Sequence, residues 1–181
     1  MKYLTLLLLA CAAPLPAQTR LSSAIQFDGS PDELAWENVP ALPFTTPDQR
    51  TVIKVAYDDV YFYAAGWFYD RRNRNDAFAL CLDVVNDGHD PKWFGITPTG
   101  MRFETLLSED GDKMTRRWET SWDAATTMTK EGWFVELRIP YSTMNARLRS
   151  NHAEGIDLWL KYDHGAAGHS FVQKYTLTFR S

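Results

Sequence analysis

The sequence carries none of the short motifs by which most catalytic sites announce themselves. It has no G-x-S-x-G elbow, no H-E-x-x-H pair and no glycine-rich phosphate loop. Its four histidines lack metal-ligand spacing: His164 and His169 are five apart in a glycine-rich loop, while His89 and His152 stand alone. A haem-binding sandwich would need axial His or Met on opposed strands, and Met101, Met114, Met128 and Met144 form no such set. Glycoside hydrolysis needs two carboxylates flanking the bond. Acidic residues are plentiful, yet most sit in turns and no pair stands out by position. A small enzyme with an unfamiliar site is therefore the least supported reading.

Positive charge and cysteine are also scarce. Lysine and arginine number 19 against 23 acids, a net charge of −4, which argues against a broad nucleic-acid-binding face. No basic amphipathic stretch suggests a membrane-surface helix, and no apolar run is long enough to span a bilayer. Of the two cysteines, Cys11 lies in an N-terminal leader, which leaves Cys81 without a partner for an internal disulfide. Cys81 sits inside the apolar run Phe78 to Leu82 and reads as a small buried hydrophobe. The core must hold the fold unaided.

The leader has the form of an export signal. Lys2 supplies a positive start, Leu4 to Ala10 a compact apolar stretch, and small residues place cleavage after Ala17 in Leu-Pro-Ala. Residues 1–17 are then a signal peptide, and residues 18–181 a single mature domain of 181 − 17 = 164 residues with a charge of 18 − 23 = −5. Leu8-Leu9-Ala10-Cys11 also looks like a bacterial lipoprotein box with Cys11 as the lipidated residue. The expectation is a periplasmic or extracellular protein, with an outer-membrane lipoprotein as the alternative.

What the chain has in quantity is aromatic, alternating strand. Hydrophobic residues make up 45% and aromatics 14%, enough for a real core. The stretch from Thr51 to Asp70 reads as two strands joined at Asp58-Asp59. Side chains alternate with period two along a strand, so Ile53, Val55 and Tyr57 share a face. On the next strand, Tyr61, Tyr63, Ala65, Trp67 and Tyr69 oppose Phe62, Ala64, Gly66 and Phe68. Both faces are apolar or aromatic, which suits a central strand covered on both sides. Such a hairpin cannot stand alone in water, so the rest of the chain must supply a covering sheet.

Other elements follow from the same reading. Ala24 to Phe27 is a short strand candidate, followed by turn formers from Asp28 to Glu33 and a helical turn at Leu34-Ala35-Trp36 capped by Asp32. Strands are expected at Ala77–Val84, Trp93–Thr97, Met101–Leu107, Arg117–Met128, Trp133–Ile139, Ile156–Tyr162 and Phe171–Phe179, with a short helix over Tyr141–Leu148. Trp133, Val135, Leu137 and Ile139 point one way; Phe134, Glu136 and Arg138 point the other. Trp36, Trp122, Trp133 and Trp159 are assigned to the core. Many short strands with frequent turns and little helix indicate one all-β domain, an antiparallel β-sandwich of jelly-roll type with one or two short helices.

Several of these segments resemble carbohydrate-binding module family 9. Phe27-Asp28-Gly29 with Asp32-Glu33 and Trp36 is similar to that family's opening I-D-G-x-x-D-E-x-W. Val55 to Ala64 is similar to its V-x-Y/W-D-x-x-Y-L-Y-V hairpin, Asp76 to Asp83 to its D-S-V-E-I-F-I-D strand, and Gly132 to Pro140 to its G-W/Y-x-V-E-x-x-I-P. The order holds from about residue 25 to 179. The stretch Phe94 to Gly100 is similar to family-9-like domains at the N-termini of large bacterial outer-membrane proteins. The resemblance implies a β-sandwich and a non-catalytic role in holding polysaccharide, of xylan or glucan type, for degradation. An outer-membrane protein or a glycoside hydrolase is the implied partner. In sugar-binding members two tryptophans clamp the ligand. Here the first falls near Asn73, the polar contacts near Ala79, Gly95 and Thr97, and the second in the loop Asp163–His169, which has no tryptophan. The family's clamp does not carry over residue by residue.

Sugars are held by aromatic faces and planar polar groups. Trp67 and Trp93, on strands near loops, are the aromatic candidates, and Arg102 and Glu104 the candidate hydrogen-bonding pair; all four also fit packing or a solvated face. Asp83, Asp87 and Asp90 gather hard oxygens around Gly88, so a structural calcium is conceivable, although an Asp/Asn/Gly turn explains the same string. The expected ligand is a saccharide or cell-envelope glycan. The alternative is a periplasmic or surface domain that docks a protein.

Overall fold

The structure, a computed structural model, describes residues 19–21, 23, 25–44, 50–69, 75–83, 91–107, 114–116, 121–144, 156–164 and 169–177. The strands form two sheets. The first contains β1 (Thr19–Arg20), β2 (Ala41–Leu42), β3 (Thr51–Tyr57), β4 (Tyr61–Tyr69), β9 (Asp123–Met128) and β10 (Gly132–Pro140), in the order β1-β3-β4-β10-β9 with β2 also pairing β3. The second contains β5 (Ala77–Asp83), β6 (Lys92–Ile96), β7 (Arg102–Leu107), β8 (Met114–Arg116), β11 (Ile156–His164) and β12 (His169–Leu177), in the order β12-β11-β5-β6-β7-β8. Every pairing is antiparallel except the short one between β1 and β3. The molecule is a β-sandwich, as the strand pattern predicts.

The core fills the space between the sheets and follows the period-two alternation. Phe62, Ala64 and Phe68 of β4 and Trp133, Val135, Leu137 and Ile139 of β10 belong to it, each 1% exposed or less. Opposite them lie Phe78, Leu80 and Leu82 of β5, Phe94 and Ile96 of β6, and Leu158, Leu160 and Tyr162 of β11. Phe68 is the junction. It stacks on Trp133 with ring centroids 4.4 Å apart and on Tyr162 at 4.8 Å, and meets Phe78 at 5.3 Å.

The other face of the first sheet is covered by the N-terminal segment, not by a third sheet. A four-residue helix, α1 (Leu34–Glu37), drops Trp36 onto it, 2% exposed. Trp36 clusters there with Val39, Ala56, Tyr63 and Ala65. The buried Glu136 side chain ties this layer down. Its carboxylate accepts the indole N–H of Trp36 at 3.0 Å and the backbone N–H groups of Gly29 at 3.0 Å and Asp28 at 3.2 Å. Gly29 is required twice over: its φ is +84°, and a Cβ there would lie 2.6 Å from the backbone nitrogen of Thr126. The Asp28-Gly29, Trp36 and Glu136 motifs are thus three parts of one hydrogen-bonded knot.

Several local expectations are corrected. Ile25–Phe27 is not a strand in the structure, because it pairs with no ladder and lies as coil over the first sheet. The residue preceding α1 is Glu33, and no side chain caps the helix; Asp32 does not. Of the Arg117–Met128 strand, residues 117–120 lie outside the described residues, Ser121 and Trp122 are coil, and β9 begins at Asp123, with β8 a separate element. The helix after Pro140 is a 3-10 turn over Tyr141–Met144, and residues 145–148 of that expectation lie outside the described residues, as do residues 1–17. Trp159 is only half-buried, since it shares its side of β11 with Asp157 and Lys161 instead of with Leu158 and Leu160.

Candidate functional site

The outer face of the second sheet carries two half-buried tryptophans, Trp93 and Trp159, with the exposed Phe103 and several charged side chains beside them. Leu158 and Leu160 of β11, Leu80 and Leu82 of β5, and Phe94 of β6 point into the core, so their strand neighbours point out. In register, Trp159 stands opposite Cys81, and Cys81 opposite Trp93. Neighbouring strands are about 4.8 Å apart, which puts the two tryptophan backbones about 10 Å apart on one row. They are too far apart to clamp one ring between them; they form two platforms. Cys81 and Ala79 on the strand between are small, so the larger side chains on either side stand above them.

The next row runs Lys161, Ala79, Gly95 and Phe103. Phe103 packs its ring on Gly95, where a Cβ would come within 2.1 Å of the Phe103 Cζ. Polar groups border the rings. Lys161 pairs with Asp163 at 3.0 Å. Lys174 pairs with Asp157 at 2.5 Å and lies 4.6 Å above the Trp159 ring. Half-buried Trp93 has a different need: its indole N–H is shielded from solvent and has no hydrogen-bond partner. Cys81, 1% exposed between the two tryptophans, has its thiol pKa pushed up by burial; it is not a nucleophile.

The residues singled out from sequence are not brought together. Trp67 lies on the outer face of the first sheet, against the Trp36 cluster and 5.5 Å from the Lys54 ammonium. Trp93 lies on the second sheet, on the opposite side of the sandwich. Arg102 and Glu104 stand opposite Ile96 and Phe94 in register and so lean to the core side at the sheet margin. There Arg102 donates to the Trp122 carbonyl at 2.6 Å, and Glu104 accepts the Trp122 indole N–H at 3.3 Å. The pair braces Trp122, which closes that end of the core. Asp83 is buried at the end of β5 facing Asp157, while Asp87 and Asp90 lie outside the described residues. Among the described residues no group of three or more His, Cys, Asp or Glu side chains could hold a metal ion. Trp159 was missed although Asp157 and Lys161 flank it at two-residue spacing, the signature of an outward position.

No protein-family model matches the chain, and neither does any curated protein. Solved structures do. A family 9 carbohydrate-binding module from Caldicellulosiruptor kristjanssonii, solved in complex with cellotriose, matches with a TM-score of 0.60 at 18% identity, covering 91% of this chain and 94% of that one. A family 9 module from the same organism in complex with glucose gives 0.63 at 17% identity, covering 91% and 96%. A candidate carbohydrate-binding protein from Bacteroides uniformis gives 0.63 at 8% identity, covering 90% and 89%. Across nearly its whole length, then, the chain has the fold of family 9 carbohydrate-binding modules.

Proposed function

We propose that the mature chain is an exported, non-catalytic carbohydrate-binding module whose ligand lies along the outer face of the second sheet. The observation that carries this reading is the row Trp159–Cys81–Trp93, two aromatic platforms about 10 Å apart across three strands. Aromatic faces pack against the C–H surfaces of sugars; Lys161 and Asp163 supply polar partners beside them. Two separated platforms suit a chain of sugars more than one ring, which favours a glucan- or xylan-type polysaccharide. The related modules solved with cellotriose and glucose support the ligand class. The leader up to Ala17 supports export to the periplasm or cell exterior, with anchoring through Cys11 as the alternative. In this role the domain would hold polysaccharide for a hydrolase or an outer-membrane partner.

Isothermal titration of the mature chain with cellotriose and with xylotriose tests this. Trp93→Ala and Trp159→Ala should each weaken binding about tenfold, the equivalent of about 1.4 kcal/mol. Trp67→Ala should leave it unchanged. Saccharide binding indifferent to Trp93 and Trp159 would remove this site, and absence of binding to any glycan would remove the saccharide reading. Phe103 and Val172, both exposed on the same face at 36% and 57%, favour a protein ligand in that event.

A further inference from the structure

On the far side of the sandwich, the N-terminal segment does not lie flat on the first sheet. Between them is a cavity of about 300 Å³, at the lower end of the range that small-molecule sites occupy, about 300–1,000 Å³. Leu21, Ile25 and Phe27 form its apolar wall; Tyr63, Arg138 and Asp58 bring polar groups from the sheet and its turn, and Ser23 brings a hydroxyl from the segment. Tyr63 and Arg138 are direct neighbours across β4 and β10.

The polar groups are held in place and still have valences to spare. The Arg138 guanidinium lies between the rings of Phe27 and Tyr61, 5.2 and 5.0 Å from their centroids. Two of its five donors go to Asp123, at 3.0 and 2.6 Å; the other three are uncommitted among the described contacts. One Asp58 oxygen accepts the backbone N–H groups of Val60 and Tyr61, both at 2.7 Å, and the other accepts the Tyr63 hydroxyl at 2.7 Å. That leaves the second oxygen an open lone pair and the phenol oxygen free to accept. Side chains fixed by stacking and hydrogen bonds lose little freedom when a ligand arrives.

We propose that this cavity is a second ligand site, built for a single neutral polyhydroxylated ring. Asp123 already neutralises the Arg138 guanidinium, and the Asp58 carboxylate is held by three donors from Val60, Tyr61 and Tyr63. The lining therefore offers no free positive charge to an anion and is left with hydrogen-bonding capacity suited to hydroxyls. Donors and acceptors alternate around an aromatic and aliphatic wall, which matches a ring with hydroxyls on its rim and C–H groups on its faces. The volume admits one ring, not a chain. The site is independent of the second-sheet face and stands or falls separately from it.

Amide chemical-shift mapping of the full mature chain with D-glucose tests the proposal. Shifts are expected at Ser23, Asp58, Tyr63 and Arg138. Ser23→Trp, a change at an exposed position that fills the cavity, should weaken those shifts at least tenfold while leaving any shifts around Trp93 and Trp159 intact. Tyr63→Phe should weaken them about threefold to tenfold, the worth of one hydrogen bond. Trp93→Ala should leave them unchanged. The proposal is overturned if saturating glucose leaves these amides unmoved, or if Ser23→Trp does not reduce the response. It is also overturned if glycine or inorganic phosphate moves them at lower concentration than glucose does, which would mark a site for charged ligands.

Discussion

Replacing Glu136 by alanine should destabilise the domain by about 3–5 kcal/mol, since it strands three hydrogen-bond donors, and buried unsatisfied groups cost about 1–3 kcal/mol each. The donors are the Trp36 indole N–H and the backbone N–H groups of Asp28 and Gly29. Against a typical total of about 5–15 kcal/mol, that is a large share. Guanidinium unfolding should show a lower midpoint with nearly the same slope. A shift below about 1 kcal/mol would mean that solvent replaces the carboxylate easily and that the knot is not what holds the N-terminal layer.

The same residue gives the pH profile its sign. Burial raises the Glu136 pKa above the ordinary glutamate value, its three hydrogen bonds oppose the rise, and the nearby Glu33 charge adds to it. A carboxyl with a higher pKa in the folded state binds its proton more tightly there than in the unfolded chain. Its contribution to stability is full below the unfolded value, about 4.3, and is lost as pH rises through the folded value. Glu33 shifts in the same direction, also through burial. Glu136→Gln should flatten the part of the stability profile just above pH 4.3; an unchanged slope would assign that titration elsewhere.

Phe68→Ala is the second large effect, with an expected loss of about 3–5 kcal/mol, the usual cost of deleting a buried phenylalanine and leaving its cavity. The ring is fully buried and touches aromatic side chains from both sheets: Trp133 from its own, Phe78 and Tyr162 from the other. Its neighbour Gly66, where a Cβ would lie 2.8 Å from the Phe68 ring, has no side chain with which to fill the space the ring would leave. Phe68→Leu should recover about half of the loss by refilling part of the volume. Thermal unfolding of the two variants ranks them, and equal stability of Phe68→Ala and the parent would show that the sheets pack independently of this junction.

How much of this was legible in the sequence depends on what alternation can and cannot report. The period-two pattern of Trp133 to Ile139, and of Phe62 to Phe68, gives inward and outward faces directly, and the structure has them as expected. Alternation is silent on which sheet a strand joins. Trp67 and Trp93 look equivalent along the chain, yet β5 leaves the first hairpin and pairs with β11, more than seventy residues later, in the other sheet. That crossover separates the two tryptophans. Trp159 was readable in principle from Asp157 and Lys161, but the leucines on either side of it outweighed them. The role of Glu136 needed the contact between residues about a hundred apart, which no local pattern contains.

If the domain is exported as proposed, the position of Cys81 has a consequence for its chemistry there. In an oxidising compartment, an accessible unpaired thiol invites cross-linking between molecules or stepwise conversion to sulfinic and sulfonic acids. Here the sulfur lies at the bottom of the aromatic row, 1% exposed and with burial suppressing its thiolate form. Trp93 and Trp159, which flank Cys81 in register, would then double as a shield against oxidation, and whatever shortens either would also open a path to the sulfur.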